Sequence, residues 1–174
     1  MNGSPLLTRA IQTVGISTSL ILSGIIMAGS LTLTPRLLES PTPLLLRQWD
    51  NMYEQGKTRV GPVAVIPALS SFYLAYQEHT AAFSAPWKVN AYIAAGLFAL
   101  AIAPYTLVIM KSTNGKLKAK AAETRALERT DVVVEIGLGA ETAHKLLDFW
   151  ALLNLGRGSI VAISGVLGLW TALN

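Results

Sequence analysis

Trp150-Ala-Leu-Leu-Asn154-Leu-Gly-Arg157 opens an apolar stretch that runs on to Leu173. A bilayer core asks a helix for about 20 predominantly apolar residues, and this stretch supplies them with an arginine inside. Three further apolar runs precede it, near residues 10–33, 60–76 and 89–110, and the fourth span reads as 149–173. Four such runs leave little of a 174-residue chain for a soluble domain. The sequence therefore predicts an all-α protein. Residues 1–174 should form one integral-membrane domain, a four-helix transmembrane bundle with amphipathic segments on its cytoplasmic side. An ionisable residue inside such a span is costly and by default marks function, so Arg157 is the first residue to explain.

Composition supports this reading. Only 14% of residues are charged, against about 25% in soluble domains. There is no cysteine, which removes disulfides, thiolate nucleophiles, iron–sulfur clusters and cysteine–zinc sites together. The net charge of +4 is placed as the positive-inside rule would place it. Loops one and three hold eleven Lys/Arg, from Arg36 to Arg59 and from Lys111 to Lys145, whereas the opposite side has Arg9 and Lys88. This asymmetry predicts a multi-pass protein with loops one and three in the cytoplasm. Membrane lipids are then its surroundings, and nucleic acid is not a partner.

The first run competes with a signal-peptide reading, because Arg9 precedes it and Ala28-Gly29-Ser30 follow its centre. Signal h-regions extend over only about 7–15 residues, so the longer run reads as an uncleaved helix closed by Thr34-Pro35. Its Gly15, Ser17, Ser19, Ser23, Gly24 and Gly29 suit close helix approach. From Leu44 to Gly56 an amphipathic helix is expected, with Leu45, Trp49, Met52, Tyr53 and Gly56 on one face. Pro62 and Pro67 should kink the second span, and the third carries Asn90 and Pro104. The Ala/Lys/Glu-rich part of loop three, Lys116 to Thr130, should be helical and solvated.

Trp150, Asn154 and Arg157 are spaced four and three apart and line one helix face. Arg157 is then either structural, snorkelling or bound to carbonyls, or a cation that stabilises an anion in a pocket. Trp49 and Tyr53 form a second aromatic pair, which an interfacial belt would also explain. Asn114 lies in Thr113-Asn114-Gly115, first of all a turn signal. The predicted topology puts His79 and His144 on opposite sides, so neither a two-histidine iron site nor a three-histidine zinc site assembles. No metal site is expected. His144, with Asp148 one turn on, is a candidate general base or a solvated ion pair.

Three motifs then occur in order: Trp49-xx-Met52-Tyr53-xx-Gly56 with Pro62 and Ala64; Pro104-Tyr105-Thr106-xxx-Met110-xx-Thr113-Asn114-xx-Leu117; and Trp150-xx-Leu153-Asn154-xx-Arg157. Together they resemble the anthrone oxygenase family, small multi-pass membrane proteins of fungal aromatic polyketide pathways. The resemblance implies oxidation of an anthrone to an anthraquinone with O₂ as co-substrate and no bound cofactor. It also implies roles. Arg157 and Asn154 would stabilise the enolate or peroxide oxygen, and Trp49, Tyr53 and Trp150 would sandwich the tricycle. Tyr105 would line the substrate slot, and Thr113 and Asn114 would supply hydrogen bonds at its cytoplasmic mouth.

The shared motifs hold no carboxylate or histidine, so Tyr53, His144 or bulk base remain open as proton acceptor. Residence in the endoplasmic reticulum or a derived vesicle, and a possible homo-oligomer, complete the expectation. Two rivals stand beside it. One is another tailoring enzyme of a lipophilic polyketide or terpenoid, such as a cyclase, isomerase or dehydratase. The other is a non-catalytic four-span protein, for which no inverted repeat is visible.

Overall fold

Helix lengths explain the architecture. The computed structural model describes residues 4–128, 131 and 142–174, and every regular element among them is helical. Four helical runs are long and apolar enough to cross a membrane: Pro5–Leu38 (34 residues), Thr42–His79 (38), Pro86–Ile109 (24) and Ala143–Leu173 (31). At about 1.5 Å per residue, the third exceeds a hydrocarbon core of about 30 Å by only about one turn, and the first, second and fourth by about three turns or more. Their extra turns project beyond it on one side and build a second layer there.

Within the membrane layer, α1 (Pro5–Ala28) packs along α8 (Ala143–Leu173) and against α4 (Val65–His79). The ring closes through α5 (Pro86–Leu100), which packs on both α4 and α8. Chain order makes each neighbouring pair antiparallel. Small residues bring α1 and α8 together: Ser19 and Ser23 donate hydrogen bonds to the carbonyls of Val161 and Gly158, both at 2.9 Å. Of the small residues expected to pack, Gly15, Ser19, Ser23 and Gly29 are buried, but Ser17 and Gly24 fall on the outer face. That face also carries Ile21, Ile25, Leu69, Leu97 and Val166, all exposed, as a lipid-facing surface requires.

The projecting layer combines α3 (Thr42–Gln55), α7 (Lys111–Glu123) and the first turns of α8. Leu45, Leu46, Trp49, Met110, Leu117, Leu147 and Trp150 form its core. Arg47 ties the layer together by donating to the carbonyls of Arg125 and Leu127 at 2.9 and 2.8 Å. Loops one and three therefore meet at one end of the bundle.

Several local expectations change. Thr34-Pro35 does not close the first helix, which continues to Leu38 through α2 (Thr34–Leu38). Proline cannot donate to the carbonyl four residues back, and its ring collides with that carbonyl. The backbone accommodates Pro35 with a wider π turn at Gly29–Leu33, where the Thr34 hydroxyl donates to the Gly29 carbonyl at 2.8 Å. The amphipathic helix and second span likewise join in one run through a second π turn, Gly56–Val60, ahead of Pro62. A third π turn, Tyr105–Ile109, follows Pro104 at the end of the third span. Finally, Asn114-Gly115 makes no turn: both lie in α7, whose Leu117 is buried rather than solvated. This helix stops at Glu123 and gives way to turns from Thr124, short of the expected Thr130, which itself lies outside the described residues.

Candidate functional site

Regular α-helical spacing on α8 brings Trp150, Asn154 and Arg157 to one face, directed at α1 and the projecting layer. Asn154 is only 1% exposed. Its Nδ2 donates to the Ile26 carbonyl and to Ser30 Oγ, both at 2.8 Å. Its Oδ1 accepts from Arg157 Nη2 at 2.5 Å. The Ile26 carbonyl can only accept and a guanidinium can only donate, so the amide has one workable orientation. Gly29 permits the close approach, since a Cβ there would lie 3.3 Å from Asn154 Nδ2.

Arg157 retains unused capacity. Among the described residues no carboxylate pairs with it, and its buried Nε has no hydrogen-bond partner. Its charge lies within electrostatic reach of the side chains of Tyr53 and Tyr105. Tyr105 donates its hydroxyl proton to the Leu153 carbonyl at 3.1 Å. That bond needs glycine at 156, where a Cβ would stand 2.7 Å from the phenol oxygen.

The aromatic residues pack on each other. Trp49, 0% exposed, stacks on Tyr53 with centroids 5.2 Å apart and meets Trp150 edge-on at 6.0 Å. The three rings pack on one another as a cluster, with Tyr53 as its half-buried end. Trp49 Nε1 is a second buried donor without a partner among the described residues. Trp150 Nε1, in contrast, donates to Asn114 Oδ1 at 2.9 Å. Thr113 is buried beside it on α7. Lys118 lies over the Tyr53 ring, 4.9 Å from its centroid, and pairs with Glu54 and, at 3.5 Å, with Asp50. The hydrogen bond to Glu54 holds the Lys118 ammonium above its ordinary pKa.

His144 stands apart. It is the second residue of α8, thirteen residues before Arg157, or about 20 Å along the axis, and its Nε2 contacts the Ser40 carbonyl at 3.3 Å. It is not brought to the guanidinium. The three π turns do gather near the site: one holds Gly29 and Ser30, one follows Tyr53, and one begins at Tyr105. Such turns occur frequently at functional sites.

The sequence profile described as anthrone oxygenase matches residues 49–167, a segment containing Trp49, Tyr53, Tyr105, Asn114, Trp150, Asn154 and Arg157. The chain belongs to the anthrone oxygenase family. It is similar to an anthrone oxygenase of Aspergillus fumigatus, 31% identical over 94% of this chain and 92% of the relative. An anthrone oxygenase of Emericella nidulans is 28% identical over 91% and 94% of the two chains, and one of Paecilomyces divaricatus is 31% identical over 92% and 94%. No solved structure matches the chain significantly. The family segment begins after Ser30, the residue that sequence reasoning missed. A single serine among apolar residues gives little signal. Only its place next to Gly29 and five residues before Pro35, where a helix must be disturbed, could have drawn notice.

Proposed function

We propose that this anthrone oxygenase family member oxidises a lipophilic aromatic polyketide, an anthrone, to the anthraquinone with O₂ and without a bound cofactor. The observation that carries the reading is Arg157: a half-buried arginine with no carboxylate partner among the described residues, a buried and unbonded Nε and a fixed Nη2. A buried cation is costly unless something opposite offsets it, and a developing oxyanion is the partner this geometry suits.

The chemistry needs little else. An anthrone methylene is flanked by two aryl rings and conjugated to the ketone, so loss of one proton gives an electron-rich enolate. The enolate passes one electron to O₂, and the resulting radical and superoxide combine to form a C–O bond. Protonation gives the hydroperoxide. Loss of the remaining C–H proton with O–O cleavage then releases water, leaving one oxygen atom of O₂ in the quinone and one in water. Arg157 stabilises the enolate oxygen and then the peroxide. Tyr105 already commits its proton to Leu153, so Tyr53 is the phenol that remains to pass the substrate proton towards solvent. The absence of cysteine supports cofactor independence, and the basic loops support a cytoplasmic position for the projecting layer in the endoplasmic reticulum or a derived vesicle.

Purified protein in detergent should convert an anthrone after exhaustive chelation and without flavin or nicotinamide. One O₂ should be consumed per quinone, with one ¹⁸O atom from labelled O₂ in the product. Activity lost on chelation and restored by iron or copper would overturn the mechanism.

A further inference from the structure

The hydrogen bonds of Asn154 extend the site to the first helix, outside the segment matched by the family profile. Ile26 and Ser30 are four residues apart and present two acceptors on one face of a helical run, a turn apart. The two N–H bonds of the Asn154 amide reach both, at 2.8 Å each. With its nitrogen anchored twice, the amide can direct its oxygen only at Arg157 Nη2. The guanidinium is planar and forked, so fixing one Nη sets the plane in which its other donors lie. Ser30 is itself buried and sits in the π turn that Pro35 imposes on the chain.

We propose that Ser30 is a positioning residue for Arg157, acting through Asn154. The proposal rests on the reading of Arg157 as the oxyanion-stabilising group. Loss of the Ser30 hydroxyl leaves one amide N–H without its acceptor and lets the amide and guanidinium rotate together. Ser19 supplies a control: it is also a buried serine on the first helix facing α8, but it bonds the Val161 carbonyl rather than this chain of side chains.

The test uses the full chain in detergent with two readouts. Ser30→Ala should lower kcat for an anthrone about 5- to 10-fold, the scale of one internal hydrogen bond, with KM unchanged. Ser30→Thr, which keeps the hydroxyl, should recover most of the rate. Gly29→Ala, whose methyl would press on Asn154 Nδ2 at 3.3 Å, should give a smaller fall. The second readout is the ¹⁵N–¹H signal of the Arg157 Nε, assigned by its disappearance in Arg157→Gln. It should shift or broaden in Ser30→Ala, return in Ser30→Thr and stay unmoved in Ser19→Ala. An unchanged signal and rate in Ser30→Ala, or an equal response to Ser19→Ala, overturns the proposal. A wild-type protein that leaves anthrones untouched, while the Arg157 signal answers Ser30→Ala alone, overturns the anthrone reading and supports the hold of Ser30 on Arg157.

Discussion

Two polar regions interrupt this apolar bundle, and they handle charge differently. At the end of the bundle away from the projecting layer, an open cleft of about 210 Å³ is lined by residues including Gln12, Gln77, Glu78, Lys88 and Tyr92. Its polar groups find partners within it or beside it: Gln12 donates to the Tyr92 hydroxyl at 3.1 Å, Gln77 to the Tyr73 hydroxyl at 2.7 Å, and Glu78 accepts from the Ala85 amide at 3.1 Å. Glu78 and Lys88 put both signs of charge in one cleft. Around Arg157 one sign stands alone, and two buried donors, Arg157 Nε and Trp49 Nε1, lack partners among the described residues. Unpaired buried donors are rare in native proteins. The cleft carries both signs of charge; the site around Arg157 does not, and on the proposed function the substrate brings the missing negative charge.

The largest break in this contrast comes from removing the cation. Arg157→Gln should reduce kcat by about 100- to 1000-fold, the usual loss for one oxyanion donor. Arg157→Lys keeps the charge without the planar fork and should retain part of the rate. Both need a monodisperse, folded sample first, and a folded Arg157→Gln with the wild-type rate would reduce Arg157 to an anchor.

Balancing the charge should hurt next. Asn154→Asp places a carboxylate against the guanidinium, supplying internally the partner that the substrate would otherwise provide. A loss in kcat on the order of 10- to 100-fold is expected, below that for deleting the donor. A rate equal to wild type would show that the isolation of Arg157 has no catalytic meaning.

The aromatic layer should respond in stability more than in rate. Trp150→Phe strands Asn114 Oδ1, which accepts from Trp150 at 2.9 Å, and should cost about 1–3 kcal/mol in detergent unfolding. A fall in kcat without lost stability would instead assign Trp150 to the substrate. The smallest effect belongs to the balanced cleft: Glu78→Gln and Lys88→Met should each leave kcat/KM within about twofold, as substitutions away from buried features generally do. A tenfold drop from either would move substrate entry to that end.

Much of the candidate site is legible in the sequence. The i, i+4, i+7 spacing of Trp150, Asn154 and Arg157 is a property of one helix, and it survives folding unchanged. The roles of its members are less legible. Asn154 reads as a second donor to substrate, yet its two N–H bonds point at α1. Trp49, Tyr53 and Trp150 read as the walls of a slot, yet they fill one another's space. His144 reads as a candidate base, yet helix rise carries it to the Ser40 carbonyl.

What the sequence determined by itself was local and compositional. Four apolar runs too long for a soluble core demand membrane helices, because backbone groups in hydrocarbon must bond within their own segment, and basic residues concentrated in two loops set those loops apart. Tertiary structure decided which donors are already used and which remain. Ser30 and Asn154 are 124 residues apart in the chain, and no periodicity within either helix reports that they meet. Proline sterics near Pro35 reshape the turn that carries Ser30, helix packing sets it against α8, and only that contact leaves Arg157 held at one nitrogen and unpaired at another.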